Sequence, residues 1–183
     1  MNILSFGGAT VKTRSFSAMT TEQILLQTLL NKNLSFAAAE SCTGGLICQR
    51  LTSISGASAA VLGGVVSYAV SVKENVLGVS AETIEKYGVV SERCAAEMAR
   101  GVKRITGADT AVSVTGLAGP GGGTPETPVG TVCFGITAPM GERTYTMHFP
   151  EELGRDGIRG AAADFAMRAL QDMLSSPEVA DHA

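Results

Sequence analysis

The segment Ala39-Glu40-Ser41-Cys42-Thr43-Gly44-Gly45 sets a hydroxyl, a thiol and a second hydroxyl on consecutive residues directly before a glycine pair. The apolar run from Ser35 to Ala39 ends there, and Leu46 to Thr52 can continue as a helix, so the segment reads as strand, turn and helix. Unpaired N–H groups at a helix start stabilise negative charge. Amides around Cys42, Thr43, Gly44 and Gly45 could therefore hold the oxyanion of a tetrahedral intermediate formed by Ser41. Helix capping by Ser41 and Thr43 explains the same residues without chemistry. Cys42 is a second candidate nucleophile within the same turn.

A serine hydroxyl needs a base, and the chain offers only His148 and His182, the latter close to its end. Lysine is the next candidate. Lys73 stands among Val72, Val76 and Leu77, and burial among such neighbours would lower its pKa towards the range where the neutral amine accepts a proton. An exposed helix lysine is the competing reading. Tyr68 closes an expected strand five positions earlier, so a short turn could bring its phenol towards the amine. That spacing is not Tyr-x-x-x-Lys, and no Gly-x-Gly-x-x-Gly opens the first βα unit, which sets aside a short-chain dehydrogenase. Gly44 occupies the position where the Ser-x-x-Lys pattern of penicillin-recognising enzymes requires lysine.

Two further segments could meet an anion. The loop holding Gly116, Gly119, Pro120, Gly121, Gly122 and Gly123 lacks the Gly-Lys-Ser/Thr ending of a P-loop, yet glycine lets backbone approach a ligand closely. A plain surface loop has the same composition. Arg155 and Arg159 lie one helical turn apart near the start of the last helix, where both could face one phosphate. Surface pairing with Asp156 or Glu152 is the alternative.

The elements that must position these residues follow from local signals. Thr20 and Gln23 form a capping box ahead of a helix whose apolar face carries Ile24, Leu25, Leu29 and Leu30. Ala60 to Tyr68 reads as a buried strand and Val72 to Leu77 as a short helix. Ser80 and Ser91 each start a helix, with Gly88 and Gly107 at the C-terminal ends. Thr110 to Thr115, Val129 to Thr137 and Thr144 to Phe149 read as strands, the last two joined by a hairpin turn at Pro139 to Glu142. A helix from about Asp156 to Leu174 sets Ile158, Ala162, Phe165, Ala169 and Met173 on one side. Strands alternating with helices, then a hairpin, predict an α/β sandwich around a mixed, mostly parallel sheet.

Composition bounds the function. A chain of 183 residues, 45% hydrophobic and 17% charged, suits one compact domain without disulfide staples, here over residues 20–176. Residues 1–19 read as a poorly ordered extension without the apolar core of a secretory signal, and residues 177–183 as a tail. The net charge of −3 and the lack of a Lys/Arg run argue against nucleic acid or a membrane surface as partner, which leaves a small molecule. Four cysteines without a CxxC pair, beside two histidines, point to reduced thiols in a cytoplasmic protein and to no metal centre.

Three motifs taken in order carry a family resemblance. They are the turn at residues 39–45; Tyr68 with Lys73 and Leu77-Gly78-Val79; and Thr115-Gly116-Leu117-Ala118-Gly119-Pro120-Gly121-Gly122-Gly123-Thr124-Pro125 with Pro128-Val129-Gly130-Thr131-Val132. Together they resemble the CinA C-terminal domain family from about Thr21 to Leu174. The resemblance implies a three-layer α/β/α sandwich and an activity similar to that of nicotinamide-nucleotide amidases. These convert nicotinamide mononucleotide and water to nicotinate mononucleotide and ammonia without metal or cofactor. It implies Ser41 as nucleophile, Lys73 as general base and Tyr68 as an orienting or proton-sharing group. Thr115, Gly119, Gly121, Gly122, Arg155 and Arg159 join residues 42–45 as expected oxyanion and substrate contacts. The chain departs from the family pattern where Leu153-Gly154-Arg155 replaces Gly-Asp-Arg and where Thr127 stands for a lysine. It looks like the stand-alone form of the amidase, with a homodimer as the family-level expectation. A non-catalytic nucleotide-binding module linked to competence or the DNA damage response is the rival from another class.

Overall fold

The computed structural model describes residues 19–176, so the expected extension, apart from Met19, and the tail lie outside the described residues. Helix α1 (Thr21–Lys32) starts on the expected capping box: Thr20 Oγ1 accepts from the Gln23 amide and the Gln23 side chain accepts from the Thr20 amide. Asn33 ends it in the left-handed region at φ 53°. The buried face is Leu25, Leu26 and Leu29, whereas Ile24 and Leu30, expected on that face, are exposed. The helix docks on α6 along a narrower stripe than the apolar spacing suggested.

Strand β1 (Phe36–Glu40) is wholly buried and sits between two parallel neighbours, β2 (Val61–Val66) and β3 (Thr110–Gly116). Beyond β3 the sheet turns antiparallel through β4 (Thr131–Ala138) and β5 (Gly141–His148), giving the order β2-β1-β3-β4-β5. Four of the five strands point the same way, and the mixed character comes from the hairpin turn at Pro139 and Met140. Strand β2 departs from the expected buried strand. It is one edge of the sheet, with Leu62 and Val66 half exposed along an alternating pattern.

Alternation along the central strand builds two cores, because successive side chains point to opposite faces. Phe36 and Ala38 join the core under α1, α2 (Leu46–Thr52) and α6 (Gly154–Ser175). Ala37 and Ala39 join the core under α5 (Glu92–Thr106), with Leu77, Val79, Met98 and Val102. Small side chains on β1 let helices approach it from both sides, which completes the three-layer sandwich. Phe165 of α6 extends the first core by packing on Phe134, ring centroids 4.6 Å apart, and edge-on against Tyr145. Ser80 and Ser91 cap α4 (Ala81–Tyr87) and α5, and Gly88 and Gly107 end them, as their positions predicted. Between β2 and α4 the chain makes a short helix α3 (Val70–Val72) that widens into a π turn over Lys73–Leu77. Among the described residues no helix is long and apolar enough to cross a membrane.

Candidate active site

The connection from β1 crosses one face of the sheet to β2, and the return to β3 crosses the other, so the carboxyl ends of β1 and β3 face an open crevice. A cavity of about 230 Å³ opens there, lined by Ser41 after β1, Tyr68 after β2, Lys73 in the π turn, Thr115 at the end of β3, and Arg155 at the start of α6. Residues far apart in sequence thus converge because their strands end side by side.

Ser41 leaves the sheet through a bond from its amide to the Val114 carbonyl at 2.9 Å. The chain then reverses through Gly44 and Gly45 at φ +62° and +96°, a conformation that side chains rarely adopt. This is the physical reason for the glycine pair. Glu40, to which the sequence assigned no role beyond membership of the turn motif, is the buried organiser of the turn. Its carboxylate accepts from the amides of Gly45, Ile47 and Cys48 at 3.0, 3.1 and 3.0 Å, so it fills the N-terminal end of α2. An acidic residue shortly before a helix start was the available cue. The Gly45 amide is therefore not free for an oxyanion, and the Gly44 amide is bonded to the Ser41 carbonyl at 3.1 Å. Of the amides expected to face an anion, those of Cys42 and Thr43 have no protein acceptor among the described residues, and of these two residues only Cys42 lines the cavity. The Thr43 hydroxyl is buried without a partner and lies outside the cavity wall.

Lys73 is 2% exposed, and its Nζ lies 3.0 Å from Ser41 Oγ. Its second contact is a short donation to the Ser67 carbonyl, and among the described residues no carboxylate pairs with it. Burial pushes its pKa below the ordinary lysine value and outweighs the opposing effect of the Cys94 and Cys42 thiols nearby. In this geometry Nζ donates to both Ser41 Oγ and the Ser67 carbonyl, and once it is deprotonated its lone pair can instead accept from the serine hydroxyl. The exposed-lysine reading is excluded. Burial raises the Cys42 thiol to about 11, partly offset by its own amide, Lys73, the Thr43 amide and Arg159, so at neutral pH it is protonated and a poor nucleophile. His148 sits on Thr131 at 3.2 Å and takes no part in the cavity.

The other expected contacts divide. Tyr68 lines the cavity but is exposed, and its hydroxyl accepts from Arg155 Nη2 at 3.3 Å rather than meeting Lys73 or Ser41. Arg155 also donates to the Gly119 carbonyl at 2.6 Å, so it bridges the glycine loop and the tyrosine at the cavity mouth. Thr115 donates to the Val89 carbonyl at 2.8 Å and thereby holds the Val89-Val90 wall against the sheet. Gly119 and Gly121 line the cavity; Gly44, Gly122 and Arg159 do not. The two arginines do not face one anion, because Arg159 turns to the backbone of the Ser41 turn: it donates to the carbonyls of Cys42 and Thr43 and pairs with Asp156. Gly154 and Thr127, where the chain was expected to depart from the family pattern, do not line the cavity. Gly154 takes φ +63° and ψ 176°, which is open essentially to glycine alone, and Thr127 closes the loop on Thr124 through two hydrogen bonds.

The CinA C-terminal domain family matches the chain over residues 18–174. The chain belongs to the CinA C-terminal domain family. Among its CinA relatives, a CinA-like protein from Chlorobaculum tepidum is 52% identical over 124 residues, 68% of this chain and 29% of that protein. A CinA-like protein from Thermotoga maritima is 41% identical over 157 residues, 86% of this chain and 38% of that protein. The chain thus spans about a third of the length of these curated relatives. The solved CinA fold agrees over a larger share. The crystal structure of competence/damage inducible protein CihA from Agrobacterium tumefaciens is 39% identical, with a TM-score of 0.80 over 85% of this chain and 96% of that one. A competence or damage-inducible protein from Enterobacter asburiae is 31% identical, with a TM-score of 0.80 over 86% and 99%.

Proposed function

We propose that this CinA domain is an amidohydrolase that converts nicotinamide mononucleotide and water to nicotinate mononucleotide and ammonia, with Ser41 as nucleophile and Lys73 as base. The observation that carries this reading is the buried Lys73 amine, 3.0 Å from Ser41 Oγ and unpaired with any carboxylate among the described residues, at the wall of a cavity. Lys73 takes the Ser41 proton as Oγ attacks the carboxamide carbon. The developing oxyanion meets the amides of Cys42 and Thr43. When the C–N bond breaks, the Lys73 ammonium returns its proton to the leaving nitrogen, so that ammonia rather than its anion departs. Water, losing a proton to the same amine, then attacks the acyl ester and releases the carboxylic acid and Ser41. Val70, Val89, Val90 and Leu117 give the cavity an apolar wall suited to a pyridine ring. Arg155 at the mouth supplies the cation for the 5′-phosphate.

The test is ammonia release from nicotinamide mononucleotide, measured beside equilibrium binding of the same nucleotide. Turnover supports the amidase; tight binding without turnover would favour the nucleotide-binding module. Two variants probe the assignments. Cys42→Ala is expected to keep kcat within about threefold of wild type, because a thiol held protonated at neutral pH contributes little as a nucleophile. Arg155→Met is expected to raise KM for the mononucleotide by about tenfold, and to leave the phosphate-free nucleoside unaffected, since the lost interaction is a charge-assisted bond to phosphate. Equal effects on nucleotide and nucleoside would remove the phosphate from Arg155.

A further inference from the structure

Arg159 is left without a task by the amidase reading, because its guanidinium does not enter the cavity. Its Nε donates to the Cys42 carbonyl at 3.2 Å and its Nη2 to the Thr43 carbonyl at 3.0 Å, while Nη1 meets the exposed Asp156 at 3.3 Å. Apart from that neighbour on its own helix, its hydrogen bonds end on the turn that carries Ser41.

A trans peptide is planar, with its C=O and N–H pointing opposite ways, so fixing one carbonyl fixes the direction of the next amide. Holding the Cys42 carbonyl directs the Thr43 N–H. Holding the Thr43 carbonyl directs the Gly44 N–H, which bonds the Ser41 carbonyl and so orients the peptide that ends in the Cys42 N–H. Among the described residues the Cys42 carbonyl is held by Arg159 alone, whereas Arg159 shares the Thr43 carbonyl with the Leu46 amide, which donates to it at 3.3 Å. Glu40 holds the far side of the same turn by accepting from the amides of Gly45, Ile47 and Cys48.

We propose that Arg159 is a positioning residue that clamps the carbonyls of Cys42 and Thr43 so that their amides face the oxyanion formed beside Ser41. The proposal rests on the Ser41 amidase reading and gives the reaction a second-helix brace that substrate never touches. Its signature is a loss confined to the chemical step, whereas an arginine that binds the nucleotide would change KM.

The experiment compares wild type with Arg159→Met, which keeps the aliphatic stem without the donors, and Arg159→Lys, which restores a cationic donor on one atom in place of the two-nitrogen fork. Two readouts are taken: ammonia release from nicotinamide mononucleotide, and the rate at which a fluorophosphonate ester labels Ser41. In the label reaction Ser41 gives its proton to Lys73, Oγ forms a bond to phosphorus and fluoride leaves, so it needs the same amides and no nucleotide. The Met variant is expected to lose roughly 30-fold in kcat, with KM kept within about twofold, less than outright removal of an oxyanion donor costs. Labelling should slow in parallel, and the Lys variant should recover part of both rates. Unchanged kcat and labelling in the Met variant overturn the proposal, as does a raised KM with kcat preserved. Labelling that depends on Arg159 in a protein that releases no ammonia from the mononucleotide upholds the clamp and rejects only the substrate. A wild type that shows neither ammonia release nor labelling overturns both. If the Met variant does not fold, the Lys variant decides by the same split, provided its thermal midpoint stays near that of wild type.

Discussion

Ser41→Ala is expected to fold as the wild type does and to release ammonia from nicotinamide mononucleotide at least about 10³-fold more slowly, the order of loss seen when a covalent nucleophile is removed. The substitution takes away one oxygen at a site that is 8% exposed, and the Ser41 hydrogen bonds that shape the turn are made by its backbone rather than by its side chain. Only Lys73 loses a side-chain partner, and its donation to the Ser67 carbonyl remains. The thermal midpoint should therefore move little while turnover collapses. What persists comes from the amides of Cys42 and Thr43 and from binding, which accelerate attack by water without a covalent step. Midpoint and turnover falling together would instead make Ser41 a structural residue of the helix start.

Lys73→Met is expected to lower kcat by about 10³-fold, within the usual range for a general base. Methionine fills the buried space of the stem without presenting an amine to Ser41 or a donor to the Ser67 carbonyl. The pH profile of the wild type gives the sign. Only the unprotonated amine can take the serine proton, and burial favours that form by lowering the Lys73 pKa. Wild-type kcat/KM should therefore rise with pH through an ionisation below the ordinary lysine value of about 10.4 and level off above it. The Met variant should lack that limb. A rate that falls with pH over the same range would mean that the working form is the ammonium, and that Lys73 acts as an acid or an electrostatic partner.

Where the sequence reading succeeded, the deciding forces are local. The capping box at Thr20, the serine caps at Ser80 and Ser91 and the glycine end of α5 all depend on groups within a few residues, so residue type and spacing suffice. The strand-turn-helix at Ser41 was legible for the same reason, since paired glycines between an apolar run and a helix leave few other backbones. Position within the sheet was not legible at β2. Its apolar run fits a central strand as well as an edge, and which neighbour it takes depends on crossovers that local pattern does not encode.

The site shows the same division. The shortage of histidine pointed to lysine as the candidate base, but the 3.0 Å approach of Lys73 to Ser41 needs β1 and β2 paired in parallel with a π turn beyond them. The spacing of Arg155 and Arg159 correctly placed both near the start of α6, yet it cannot say which backbone each one meets. Arg155 reaches the loop at Gly119, and Arg159 reaches the turn at Cys42 and Thr43. Glu40 was hidden because its role is set by burial: a carboxylate at a strand end looks solvated until three amides of the following helix are seen to close on it.

The most direct test of the Ser41–Lys73 assignment is ammonia release from nicotinamide mononucleotide by wild type, Ser41→Ala and Cys42→Ala side by side at one pH. Turnover by wild type and Cys42→Ala with none above background from Ser41→Ala is the predicted result; activity surviving in Ser41→Ala and lost in Cys42→Ala would contradict it.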